Sequence, residues 1–207
     1  MNAMFLRIAA FCALGLFATT GAAAEFTATI TDGTGQPLRG AIVYVSDANA
    51  ASGNKAKAAK LDQVDKTFVP QVSVVQTGTP IEFPNSDNIR HQVYSFSPAK
   101  VFTLKLYSGR PAEPVVFDKP GVVVLGCNIH DTMIAWVLVV DTPWFGKADA
   151  QGHAVIKGIP AGTYELSAWH PGVMLPVSAG QIEIKPQETL SRAMKLAVTP
   201  VPGLTSP

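Results

Sequence analysis

Apolar and polar side chains alternate with a period of two between Glu25 and Ser46, the spacing of a half-buried strand. Two strands are predicted there, Phe26–Ile30 and Ala41–Val45, separated by the turn-forming stretch Asp32-Gly-Thr-Gly-Gln-Pro37. Residues 47–60 break the pattern with Ala, Lys, Ser, Gly and Asn and almost nothing to bury, which predicts a solvated linker with at most one marginal helical turn. From Val64 the alternation returns. Strands are expected over Phe68–Val75, Thr79–Phe83, His91–Phe96, Phe102–Tyr107, Val115–Phe117, Gly121–Leu125 and Ile134–Val140. Asp141-Thr-Pro143 closes this block, and a second set follows over Ala154–Gly158, Tyr164–His170 and Gln181–Lys185. Few segments sustain a helical period, and short strands punctuated by Gly, Pro, Asn and Asp predict an all-β chain built as sandwiches.

The two ends read differently. Arg7, the apolar run Ile8–Phe17 and the small residues Ala22-Ala-Ala24 have the order of a secretory signal, so residues 1–24 are expected to be cleaved and the mature protein to be exported or periplasmic. The apolar run is too short to span a bilayer, and no later segment reaches that length. Residues 199–207, rich in Pro and polar side chains, are expected to form a loose tail.

Signal cleavage sharpens two further readings. It takes Arg7 from the sixteen Lys and Arg, leaving them level with the fifteen Asp and Glu. A neutral chain without a basic stripe does not suit nucleic acid or an anionic membrane surface. Of the two cysteines, Cys12 is lost with the signal and Cys127 remains. A lone exported thiol cannot close an internal disulfide; it is inert, paired with another chain, or a metal ligand.

The neighbours of Cys127 favour the last. Cys127-Asn-Ile-His-Asp-Thr-Met133 sets a thiol, an imidazole and a thioether at three-residue intervals on one loop between two apolar strands. With a second imidazole these are the ligand types of a mononuclear His₂Cys copper site with a weak axial Met. His91, in Phe83-Pro-Asn-Ser-Asp-Asn-Ile-Arg-His91-Gln-Val-Tyr94, is the candidate for that imidazole. Asp131 lies in the same loop and could face a metal or cap a turn. Taken singly, each residue has a plainer use: a buried thiol, a surface histidine, a core methionine. Their conjunction is what points to a metal. His153 is expected to face solvent and His170 to pack within the second strand set.

Other chemistries fit less well. A Cys–His hydrolase would leave His91 and Met133 without a role, and close spacing on a tight loop does not align a thiolate with its base. Multicopper oxidase or copper nitrite reductase chemistry needs more histidines than the four present. Thioether is a poor zinc ligand. The expected protein is therefore not an enzyme but a carrier of single electrons, with transient redox partners and a monomeric state. A non-redox copper carrier or sensor, or a structural β module, is the alternative.

Residues 61–143 resemble the cupredoxins, the plastocyanin and amicyanin class of blue copper proteins, and also exported proteins labelled methylamine utilization protein. The resemblance rests on Phe83-x-Asn followed by His91-x-Val, on Phe117-Asp-Lys-Pro-Gly121, and on the C-x-x-H-x-x-M loop. It implies a Greek-key β-sandwich binding one copper ion through His91, Cys127, His130 and Met133. It also implies electron exit through His130, beside Ile129 and Pro84. Plastocyanin-like sequences place Asn after the first histidine, where it braces the Cys loop; here Gln92 stands instead. Thr31-Asp-Gly-Thr-Gly-Gln-Pro-Leu-Arg-Gly-Ala-Ile-Val43, with Asp149-Ala-Gln-Gly152 and Pro160-Ala-Gly-Thr-Tyr164, resembles a carboxypeptidase regulatory-like, transthyretin-like sandwich. That resemblance implies a second small domain split in sequence: residues 25–46 and 144–198, with the copper block inserted between them.

Overall fold

The computed structural model describes residues 24–47, 56–111, 113–201 and 204. Residues 1–23 of the expected signal segment, most of the linker, and residues 202, 203 and 205–207 of the expected tail lie outside the described residues. The described part of that tail is held and not loose: the Thr199 N–H donates to the Gly172 carbonyl at 3.0 Å, and Val201 and Leu204 pack against the cluster around Trp169. Among those described there is no helix. The strands are β1 (Ala24–Asp32), β2 (Ile42–Ser46), β3 (Ala59–Lys60), β4 (Asp62–Val64), β5 (Thr67–Val69), β6 (Val72–Gln76), β7 (Thr79–Glu82), β8 (His91–Ser97) and β9 (Lys100–Tyr107). They continue with β10 (Val115–Phe117), β11 (Gly121–Gly126), β12 (Ile134–Val140), β13 (Phe145–Lys147), β14 (His153–Ile159), β15 (Gly162–Trp169), β16 (Val177–Ile184) and β17 (Thr189–Leu196). The protein is all-β.

Strands β3 to β12 form one unit. A sheet in the order β6-β12-β11-β8-β9 and a sheet in the order β10-β7-β3 share a core of Phe68, Ile81, Phe83, Val93, Phe117, Leu125 and their neighbours. Each such side chain, fully buried, is worth about 1.5–3 kcal/mol against exposure. The second unit pairs β1 with β14 and β17, and β2 with β13 and β15. Its two sheets close over Phe26, Ile30, Val45, Ile156, Leu166 and Ile184. The strands before residue 47 are thus hydrogen-bonded to strands after residue 144, not to the sheets of the first unit.

Local chemistry accounts for these pairings. Asp149 Oδ1 accepts the backbone N–H groups of Gln151 and His153, both at 2.9 Å, and so closes the turn that feeds β14. Gly152 in that turn has φ +77°, and a Cβ there would lie 2.3 Å from the Ile30 carbonyl oxygen, so only glycine lets the turn press onto β1. Tyr164 donates its hydroxyl to the Pro160 carbonyl at 3.0 Å and ties the turn ahead of β15.

Three differences from the alternation have physical reasons. The single strand expected over Phe68–Val75 is divided into β5 and β6 around Pro70, which has no N–H to give a ladder. After the break β5 pairs only with β4, whereas β6 runs parallel to β12. Strand β17 escapes the pattern because Arg192 interrupts the apolar series Leu190, Met194, Leu196; long-range parallel pairing to β1 supplies what alternation does not. Pairing also begins at Ala59, earlier than composition suggests, because β3 adds in parallel to β7.

Strand β12 lies between the units. Ala135, Val137 and Val139 point into the first core, while Trp136, Leu138 and Val140 point the other way, as strand geometry requires. That second face packs with Val72 of β6 against Ile42 and Trp169 of the other unit. Lys147 also donates to the Val72 carbonyl at 2.6 Å across the junction. Strand β12 is therefore buried on both faces.

Candidate metal centre

Two adjacent strands deliver the candidate ligands. Strand β11 ends at Gly126, and the next seven residues loop back antiparallel into β12. Within the loop the Met133 N–H donates to the His130 carbonyl at 2.9 Å and the Ile129 N–H approaches the Cys127 sulfur at 3.4 Å. His91 opens β8, directly opposite Tyr107 of β9. The register slips between His91 and Val93, so that Lys105 and Leu106 together oppose Gln92. Such a bulge re-aims the side chains around it.

His91, Cys127 and His130 each place one donor atom within 4.8 Å of the others. His91 Nδ1 lies 3.8 Å from Cys127 Sγ, and the two imidazoles meet edge-on with centroids 5.1 Å apart. His91 is wholly buried and Cys127 nearly so. His130 Nδ1 is buried without a hydrogen-bond partner among the described residues. An orphaned buried ring nitrogen beside a buried thiol and a second imidazole carries a desolvation cost that a bound soft metal would offset. Met133 is buried in the same cluster as Cys127. Asp131 is exposed, and its carboxylate does not join the group.

An open groove of about 510 Å³ runs along this side, lined by Cys127, Asp131, Met133, Tyr94, Phe96 and Val124 among others. Its floor depends on Gly126. A Cβ at that position would fall 2.7 Å from the Tyr94 ring, so the glycine lets Tyr94 close onto the backbone next to Cys127. Gly126→Ala is expected to push Tyr94 outward and raise the reactivity of Cys127 toward a thiol reagent; unchanged labelling would show that Tyr94 does not shield it.

Several contacts were not legible in the sequence. The Asp87 carboxylate accepts from His91 Nε2 at 2.7 Å. Burial works to raise the Asp87 carboxyl, but the Lys66 N–H, the His91 ring and the Asp65 N–H together hold it below the usual carboxylate range. Tyr107 gives its hydroxyl to the Phe83 carbonyl at 2.5 Å and receives Gln63 Nε2 at 2.6 Å. Burial pushes that phenol up to about 12, so it stays a neutral donor. Gln92 takes part after all in holding the loop: its side-chain oxygen accepts from Asn128 Nδ2 at 2.8 Å. The surface near His130 is corrected on one point. Pro84 is buried, whereas Ile129, next to His130 in the loop, is half exposed. His153 is exposed, while burial pushes the His170 imidazole down and its Nδ1 accepts the Gly172 N–H at 3.1 Å.

No protein-family model matches this chain, and no curated relative does. Among solved structures, a Cu-containing nitrite reductase from Thermus scotoductus SA-01 is similar with a TM-score of 0.38 and 24% identity, over 41% of this chain and 22% of that one. The chain thus spans less than a quarter of that protein's length. A purple cupredoxin from Nitrosopumilus maritimus gives 0.35 and 20% identity, over 40% and 99% of the two chains. The reduced Cu(I) form of a mutant amicyanin gives 0.36 and 17%, over 47% and 98%.

Proposed function

We propose that this chain is an exported mononuclear copper protein that passes single electrons between redox partners, with His91, Cys127, His130 and Met133 as ligands. The observation that carries this reading is the convergence of two imidazole nitrogens on a buried thiol, one of those histidines having a buried nitrogen with no hydrogen-bond partner among the described residues. Bound copper would supply one-electron chemistry between Cu(I) and Cu(II). The chain supplies the rest: soft donors that accept both oxidation states, sheets that hold them in place, and a buried setting that limits water. On this reading the copper block, residues 61–143, is inserted into a smaller sandwich made of residues 25–46 and 144–198.

Metal analysis with an optical titration by Cu(II) tests the reading. One copper per chain and an intense visible thiolate-to-copper band that bleaches on reduction are expected. A folded protein that binds copper without colour would favour a non-redox carrier or sensor instead. Electrons would leave through His130 and the apolar surface around Ile129, a small contact suited to transient partners. Ile129→Lys is accordingly expected to slow electron exchange with a redox partner while leaving the copper spectrum intact, as stopped-flow mixing would register. Loss of colour in that variant would place Ile129 in the metal site and not at the docking surface.

A further inference from the structure

Asp87 sits in the stretch Asn85-Ser-Asp-Asn88, where nothing in composition separates it from an ordinary turn residue. Its side chain is only 11% exposed despite standing on a loop. Three N–H groups from two different parts of the chain converge on it. The Asp65 N–H reaches Oδ1 at 2.6 Å, the Lys66 N–H reaches Oδ2 at 3.0 Å, and His91 Nε2 reaches Oδ2 at 2.7 Å. Asp65 and Lys66 are the two residues linking β4 to β5, and both are left-handed, with φ of 52° and 57°. That conformation suits a tight hairpin turn but is unfavourable for a lysine. Charge-assisted hydrogen bonds from both turn amides to one carboxylate offset that strain. A further clamp comes from Asn85, which accepts the Asp87 N–H at 3.0 Å and donates to the carbonyls of Ile89 at 2.8 Å and Tyr107 at 3.0 Å. The carboxylate is therefore held in place independently of the histidine it meets.

We propose that Asp87 is the positioning residue of the centre: braced by the β4–β5 turn, it fixes His91 with the proton on Nε2 and leaves Nδ1 bare toward Cys127. A carboxylate has no proton to offer, so the shared hydrogen belongs to the imidazole. The ring cannot rotate about its long axis without breaking this contact, and the nitrogen that faces the thiol is kept free to act as a ligand. Carboxylate partners of this kind also raise the basicity of a ligating imidazole. The metal-binding half of the proposal rests on the ligand reading above; the tautomer half does not.

The experiment has a metal-free and a copper arm. In the metal-free protein, ¹⁵N-edited NMR of the histidine rings is expected to show His91 protonated at Nε2, with a slowly exchanging ring N–H. Asp87→Ala should lose the protection of that proton, and Asp87→Asn, which keeps an oxygen acceptor but not the charge, should fall between the two. In the copper arm, Asp87→Ala is expected to bind Cu(II) about 10–100-fold more weakly and to shift the reduction potential upward. Ser86→Ala removes only the neighbouring hydrogen bond to Asp62 in the same loop and should match the parent chain in both arms. A parent His91 protonated at Nδ1, or an Asp87→Ala variant that loses thermal stability alone and keeps the ring signal, affinity and potential, would overturn the proposal. A parent chain that never colours with Cu(II) would defeat the ligand reading, and the ring signal would still decide the positioning role.

Discussion

Cys127→Ser is expected to abolish the visible band entirely and to cost more copper affinity than the roughly 10–100-fold lost with an outer hydrogen-bond partner. A serine hydroxyl does not ionise at neutral pH and is a hard donor, so it replaces neither the charge nor the softness of a thiolate. The fold should survive, because the substitution is nearly isosteric. Cys127 Sγ meets the Ile129 N–H at 3.4 Å and His91 Nδ1 at 3.8 Å, and a hydroxyl can engage both. An optical titration with Cu(II), with circular dichroism confirming the β signature, measures both halves. A folded serine variant that keeps an intense visible band would remove Cys127 from the ligand set.

Trp169→Ala is expected to destabilise the protein by about 3–5 kcal/mol, the range for deleting a large buried aromatic. Trp169 is wholly buried between the two units, packed with Ile42, Val72, Trp136, Leu138 and Val140. The cavity would open against β12, the strand that leaves the loop carrying Cys127, His130 and Met133. Denaturant unfolding with the copper band as a second probe tests whether the two units are mechanically joined. Both signals should move to lower denaturant together. Trp169→Phe is a useful companion: the indole N–H has no hydrogen-bond partner among the described residues, so phenylalanine gives up area but also relieves a buried unsatisfied donor. Its cost should be well below that of alanine. An alanine variant within about 1 kcal/mol of the parent would mean that the site collapses without penalty and that the junction contributes little.

The candidate site was legible where chemistry and spacing coincide. Cys127, His130 and Met133 share seven residues, so a local reading could assemble them, and His91 was reachable because those donors call for a second imidazole and Phe83-x-Asn followed by His91-x-Val has the motif of the family's first histidine. Asp87 was not reachable. Its partners are Asp65, Lys66 and His91, and an aspartate among Asn and Ser reads first as a turn former. Gln92 shows the same limit from the other side: its difference from asparagine is visible in the sequence, but its contact with Asn128 follows only from the packing of β8 beside the Cys loop.

Strands with two distinct faces, such as β1, β8 and β14, declared themselves through alternation because one face meets the core and the other meets water. Strand β12 did so by being apolar throughout, though which residues meet which core could not be told. Strand β17 stayed hidden, since its single buried side depends on a parallel partner more than a hundred and fifty positions earlier.

By itself, then, the amino-acid order determined the all-β class, the turns and the donor types available to a metal, because these follow from local periodicity and side-chain chemistry. Tertiary structure alone decided that His91 turns Nδ1 toward the thiol, that Asp87 meets its other nitrogen, that His130 Nδ1 is buried beside them, and that β12 is packed from both sides. Those are outcomes of which distant strands meet and in what register, and a one-residue change of register would face every one of these side chains elsewhere.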